Sequence, residues 1–259
     1  AGGQSLMPML NMRYAQPDQI IDLNHVEGLD GIIETDGGLE IGAMTRQSEL
    51  LKHPKIAAKL PVMHEALGWV GHFQTRNRGT IGGSLCHLDP SAELPATALL
   101  YDAQLNVVGP NGERQVKMKE WPLAYMMPNI AENEILKEIT LSPWDETAGY
   151  AYHEFARRHG DFAIVGVGVL LTVSNNRITR IAIAIAGAGQ VPFRLTEAET
   201  ELLGQQPTEE VFRAAGEIAR ACEAMSDAYY SSGYRQRLAA TLTQRALAKA
   251  AFRASGVGK

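Results

Sequence analysis

Cysteine is scarce in this chain. Cys86 and Cys222 are the only two among 259 residues and stand far apart. No disulfide framework and no CxxC metal signature can be built from them, and a reducing, cytoplasmic setting is the expectation. An iron–sulfur cluster usually takes four thiolates, so any cluster must sit on another polypeptide. Long apolar runs are missing as well: the longest, residues 162–173, is too short to span a bilayer and is interrupted by Gly166 and Gly168. Positive charge is not in excess. The net charge of −5 argues against a general nucleic-acid binder. The familiar nucleotide fingerprints fail too. Gly166-Val167-Gly168 and Gly187-Ala188-Gly189 lack the third glycine of GxGxxG, and no GxxxxGK[ST] follows a strand. HExxH is absent and the seven histidines have no metal-ligand spacing, so no metal site is expected.

What the chain does have is glycine at two informative places, Ala1-Gly2-Gly3-Gln4-Ser5 and Thr80-Ile81-Gly82-Gly83-Ser84. Glycine lacks the Cβ that holds a ligand away from the main chain, so successive backbone amides can converge on an anion, here beside a hydroxyl. Two such turns can grip a diphosphate from two sides. Either turn alone is a weak signal, since Gly-Gly pairs are common at plain reversals. The second gains weight from its setting, between Gln74-Thr75-Arg76-Asn77-Arg78 and Cys86-His87-Leu88-Asp89-Pro90-Ser91-Ala92-Glu93.

Hydrophobic residues make up 45% of the chain, enough for a sizeable core in one large or two modest domains. Residues 31–35 and 39–43 around Asp36-Gly37-Gly38 read as a hairpin, and 105–108 with 113–116 as another. Helices are expected over 45–51, from 61 through 70, and over 92–101, and a strand over 134–141. The polar stretch Pro143-Trp144-Asp145-Glu146-Thr147 divides the chain into units 1–145 and 146–259. The second unit reads as strands over 150–158, 163–173 and 178–185, with a tight turn at Asn175-Asn176. Two helices follow, one capped by Thr208 and one over 234–252. Cys222 falls on a helical apolar spacing and reads as core.

Three ordered segments, AGGQSLMPMLNMRYAQP, RNRGTIGGSLCHLDPSAELPA and FARRHGDFAIVGVGV, resemble the FAD-binding medium subunit of the molybdenum hydroxylases, the family of xanthine and carbon monoxide dehydrogenases. The resemblance implies an α+β chain. Its first part would be an FAD-binding domain of the PCMH (vanillyl-alcohol-oxidase-like) type lacking its N-terminal strand and helix. A small antiparallel sheet with helices, of the CO dehydrogenase flavoprotein C-terminal type, would follow.

The same resemblance implies site residues. Ala1, Gly2, Gly3, Gln4 and Ser5, with Thr80, Ile81, Gly82, Gly83 and Ser84, would cradle the FAD diphosphate. Glu93 would bind ribityl or ribose hydroxyls, although a carboxylate at a helix N-terminus also suits the macrodipole. Asp89 either sets its turn or reaches a hydroxyl. Leu136, Asp161 and Phe162 would lie near the isoalloxazine, Phe162 over its face or simply opening the next strand. Arg76 and Arg78 read better as partners of internal carboxylates than as diphosphate clamps, and His87 as structural.

No catalytic acid or base is expected of a relay. FAD would be this chain's cofactor, with 2Fe–2S clusters and a molybdenum cofactor on small and large partner subunits in a dimer of heterotrimers. NAD, a quinone or another carrier would accept the electrons. A stand-alone FAD oxidoreductase and a non-catalytic flavin- or nucleotide-binding scaffold are the alternatives.

Overall fold

The computed structural model describes residues 1–256; residues 257–259 of the expected second unit lie outside the described residues. Helix α1 (Leu6–Asn11) follows the first glycine turn, and the hairpin β1 (Ile32–Thr35) and β2 (Gly38–Gly42) comes next. A run of short helices then occupies α2 (Gln47–Lys52), α3 (Pro54–Lys59), α4 (Pro61–Leu67), α5 (Phe73–Arg78), α6 (Ile81–His87) and α7 (Glu93–Leu100). Proline at the first position of both α3 and α4 explains why this stretch breaks into pieces: its missing N–H costs nothing there but stops the helix before it.

Strands β3 (Gln104–Gly109), β4 (Gly112–Lys117), β5 (Pro122–Ala124), β6 (Met127–Pro128) and β7 (Ile135–Leu141) complete the first unit. Its main sheet has the order β1-β2-β7-β3-β4, with antiparallel neighbours throughout. Strand β7, late in sequence, is inserted between the two hairpins because its apolar face completes both. Ile139 pairs with Ile41 on one side and Leu105 on the other, and all three are fully buried. Burial of such a side chain contributes roughly 2 kcal/mol.

The second unit contains β8 (Gly149–Phe155), β9 (Val165–Ser174), β10 (Arg177–Ala186) and β11 (Phe193–Arg194), ordered β11-β10-β9-β8. Helices α8 (Thr196–Leu202), α9 (Glu209–Arg220) and α10 (Ser232–Ala254) follow. Asn175 and Asn176, both at positive φ (49° and 56°), form the expected tight turn between β9 and β10, and the Thr208 hydroxyl caps α9 through the Val211 amide. Helix α8 and strand β11 were not legible in the sequence. The fold is α+β.

The apolar run of β9 does not alternate because both of its faces are covered. Helix α10 lies on one side of the second sheet, and α4 and α7 lie on the other. Gly166 and Gly168 sit in this run as spacers, since a Cβ on Gly166 would come within 2.5 Å of the Tyr152 hydroxyl and one on Gly168 within 2.6 Å of Leu100 Cδ1.

Polar contacts fasten the same seam. Glu65 of α4 accepts from the Tyr152 amide at 2.9 Å, from Arg253 of α10 at 2.7 Å and from Lys249 at 3.2 Å. Arg194 joins Glu199 of α8 to the Leu99 carbonyl of α7. Removing a partly buried anion with three donors leaves Arg253 uncompensated, so Glu65→Ala is expected to lower the stability of the full chain by about 2 kcal/mol, read from urea unfolding.

Candidate functional site

The two glycine turns come together in space. Gly2 lies flat on the Arg78–Gly79 peptide, where an added Cβ would fall 2.0 Å from the Arg78 carbonyl oxygen. A Cβ built on Gly83 would sit 3.5 Å from that of Ala1. Gly3 adopts φ +73°, a conformation that favours glycine. Among the described residues the amides of Gly2, Gly3, Gln4 and Ser5 have no acceptor, while the Met7 and Met9 amides fold back onto the Gly3 and Ser5 carbonyls to start α1.

The second turn differs from the sequence expectation. Thr80 is the N-cap of α6, its hydroxyl accepting from the Gly83 amide at 3.0 Å, so Gly82 and Gly83 lie inside the first turn of a helix and not in a free loop. The Ile81 and Gly82 amides are spent as well, on the Thr45 and Ala43 carbonyls at 3.1 and 2.8 Å. Amides without an acceptor among the described residues are therefore found at the first turn and not at the second. At the second, the glycines serve close approach: a Cβ on Gly82 would press to 2.5 Å from that of Ala43. Among the described residues the hydroxyls of Ser5 and Ser84 have no hydrogen-bond partner.

Beyond α6 the chain turns through Leu88, at φ 52°, into an Asx turn in which the Ser91 amide donates to Asp89 at 2.8 Å. Asp89 thus sets its turn. Glu93 then opens α7, only 8% exposed. Leu136, on β7 beside α6, keeps its side chain in the first core. Arg76 donates to the Val70 and Gly71 carbonyls at 2.7 and 3.2 Å, and bears on Glu93 as a nearby positive charge. Arg78 lends only its carbonyl, to Arg46.

From the second unit, the loop 156–164 packs against residues 69–72, just ahead of α5. Gly160, at φ +88°, is pressed against His72, and His159 meets Trp69 edge-on at 5.5 Å between ring centroids. Asp161 is held by Arg158 at 3.1 Å. Phe162 is 69% exposed and lies three residues before β9 begins, so it does not open that strand. One residue not singled out from the sequence fixes this loop. Arg235, 4% exposed, donates to the Ile164 and Gly187 carbonyls, and the Gly187 amide in turn donates to Pro90 at 2.7 Å, behind the Asp89 turn.

The other omission is Glu154. It shares the inward face of β8 with Tyr152, the two carboxyl oxygens being buried with Oε1 unpartnered and Oε2 3.5 Å from the Tyr152 hydroxyl. An acid on the buried face of an otherwise apolar strand was the available signal. Burial pushes Glu93 up to about 7, with Asp89 adding to the rise and Arg76 opposing it. Burial and then the Glu93 charge push Glu154 up to about 9.

Among the described residues no group of three or more His, Cys, Asp or Glu could hold a metal ion, and no helix is long and apolar enough to cross a membrane. A separate cleft of about 560 Å³ is lined by Gln190, Phe193, Glu197, Cys222, Glu223 and Met225, and includes no residue of the glycine turns. Cys222, half-buried, borders the second core and this cleft together, and burial raises its thiol.

Residues 1–144 match the family described as the FAD binding domain in molybdopterin dehydrogenase. The chain belongs to that family. Residues 150–250 match the CO dehydrogenase flavoprotein C-terminal domain. The 6-hydroxypseudooxynicotine dehydrogenase complex subunit alpha of Paenarthrobacter nicotinovorans is 37% identical, over 98% of this chain and 86% of its own length. The carbon monoxide dehydrogenase medium chain of Hydrogenophaga pseudoflava is 36% identical, over 95% and 86%. Among solved structures, the Hydrogenophaga pseudoflava carbon monoxide dehydrogenase superposes with a TM-score of 0.95 at 36% identity, covering 98% of this chain and 88% of that one. Quinoline 2-oxidoreductase from Pseudomonas putida 86 gives 0.93 at 30%, covering 100% and 90%. The chain is accordingly an FAD-binding medium subunit of the molybdenum hydroxylases, and the donor set of the first turn fits a diphosphate: four amides without an acceptor among the described residues, beside a glycine pair that packs directly on the Arg78–Gly79 backbone.

Both raised carboxyls bind protons more tightly folded than unfolded, so their stabilising contribution is complete below about pH 4.5 and is lost as pH rises through about 7 and about 9. The neutral amide of Glu154→Gln is free of that loss. Its stability should rise relative to the parent chain as pH increases from about 6 to 9, by at most about 1.4 kcal/mol per pH unit, seen as a growing difference in thermal midpoint in parallel melts.

Proposed function

We propose that this subunit takes electrons from an iron–sulfur subunit and passes them to an external acceptor, with the substrate oxidised elsewhere, on a large molybdenum-bearing partner. The observation that carries the cofactor's placement is the contact of the two glycine turns beside four amides that have no acceptor among the described residues. Bound FAD exchanges electrons singly or in pairs, which is the chemistry such a relay requires.

In this reading the amides of Gly2, Gly3, Gln4 and Ser5 and the hydroxyls of Ser5, Thr80 and Ser84 hold the diphosphate, with Ala1, Ile81, Gly82 and Gly83 forming the wall against which it rests. Glu93 accepts from ribityl or ribose hydroxyls, Asp89 shapes the approach, and Leu136 flanks the ring edge. Phe162 supplies an unencumbered aromatic face for the ring, and Asp161, braced by Arg158, orients that loop. The partners proposed are a small 2Fe–2S subunit and a large molybdenum-cofactor subunit, assembled as a dimer of heterotrimers. The cited relatives include a complex subunit and a medium chain, which supports association.

Gentle purification from the native host should yield a flavin spectrum together with both partner subunits. A chain without flavin, or one that never co-purifies with an iron–sulfur protein, would contradict the relay. Glu93→Leu should weaken FAD binding at least tenfold through loss of charge-assisted hydrogen bonds, and Phe162→Ala several-fold through loss of ring contact, both read by flavin fluorescence titration.

A further inference from the structure

Away from the Glu65 and Glu199 ion pairs, the seam between the two units also buries two acids, Glu93 and Glu154, that form no ion pair among the described residues. Glu93 enters at the start of α7 and Glu154 from the inward face of β8, 8% and 9% exposed. Glu154 Oε1 has no hydrogen-bond partner, and its other oxygen meets only the Tyr152 hydroxyl at 3.5 Å. Asp89 adds negative charge beside Glu93. Arg76 is the cation that bears on Glu93, and its Nη1 is committed to the Val70 and Gly71 carbonyls. Tyr152 faces Glu154 as a neutral phenol, its ionisation pushed well above the usual range by burial. Desolvation and mutual repulsion keep such a pair from carrying two charges.

We propose that Glu93 and Glu154 form a coupled carboxyl pair across the seam, which releases a proton to solvent when the hydroxyls of a dinucleotide cofactor dock on Glu93, so that cofactor retention is linked to pH. The inference rests on the cofactor placement given above. Hydroxyl donors favour the charged form of Glu93. Docking therefore converts the Glu93 acid to its carboxylate and frees one proton, while Glu154 stays neutral and avoids a second buried charge. Glu154 acts on the cofactor through Glu93 and is a positioning residue.

The test uses the full chain stripped of flavin and titrated with FAD across the pH range. Calorimetry is run in two buffers of different ionisation heat so that protons are counted. The apparent Kd should fall by up to about tenfold per pH unit on the acid side of neutrality and then level off, with release of up to one proton. Glu154→Gln, which imitates the neutral acid, should keep that profile. Glu154→Lys places a cation beside Glu93, holds it charged, and should flatten the profile while tightening binding in acid. Should Glu154→Lys fail to fold by circular dichroism, Glu93→Gln takes its place, since a side chain that cannot ionise must abolish the proton release. FAD binding indifferent to pH in the parent chain, or an unchanged profile in the folded Glu154→Lys or Glu93→Gln variant, would overturn the proposal alone. No FAD binding at any pH would remove the cofactor placement and the proposal with it.

Discussion

The packing of the second sheet's inward face against α4 and α7 is the constraint on which the site depends. Nothing within the first unit alone would bring residues 156–164 onto the segment ahead of α5, and nothing within the second would bury Glu154 near Glu93. The seam achieves both through the space that Gly166 and Gly168 leave for Tyr152 and Leu100, and through Glu65, which takes donors from β8 and α10 together. Arg235 and Gly187 then fasten the far loops to Pro90, so the Asp89 turn and the Phe162 loop are positioned by one continuous set of hydrogen bonds.

Within that frame the two halves of the glycine cradle have different physical characters. The first turn presents amides with no acceptor among the described residues. The second is a capped helix start whose amides are consumed holding it to the end of β2 and the residues just beyond. Its glycines are needed because the Ala43 and Thr80 atoms come so close, and the resulting surface is smooth where a ligand would rest. A subunit that binds FAD needs rigid placement of the cofactor, and this division of labour suits it.

Much of the architecture was readable in advance. Both hairpins, the Asn175-Asn176 turn, the Thr208 cap and the long C-terminal helix follow from local signals of turn chemistry and period, and these act over a few residues. The helical state of Gly82 and Gly83 was not readable, because helix propensity opposes it and only the Thr80 cap and the pull of Ala43 and Thr45 overcome that. Strand β11 and helix α8 were missed for a similar reason: β11 is two residues long and exists through its pairing with β10, and α8 through the Glu199 contacts to Ile183 and Arg194.

By itself the sequence determined the family, the α+β class and the identity of the residues that line the turns, because those reside in ordered motifs and local backbone preferences. Tertiary structure alone decided which amides remain available, that Phe162 stands free of the strand it precedes, and that Glu154, an unremarkable acid in the string, shares a buried seam with Glu93. Those outcomes depend on desolvation and on distances between residues far apart in the chain, and neither quantity exists until the two units pack.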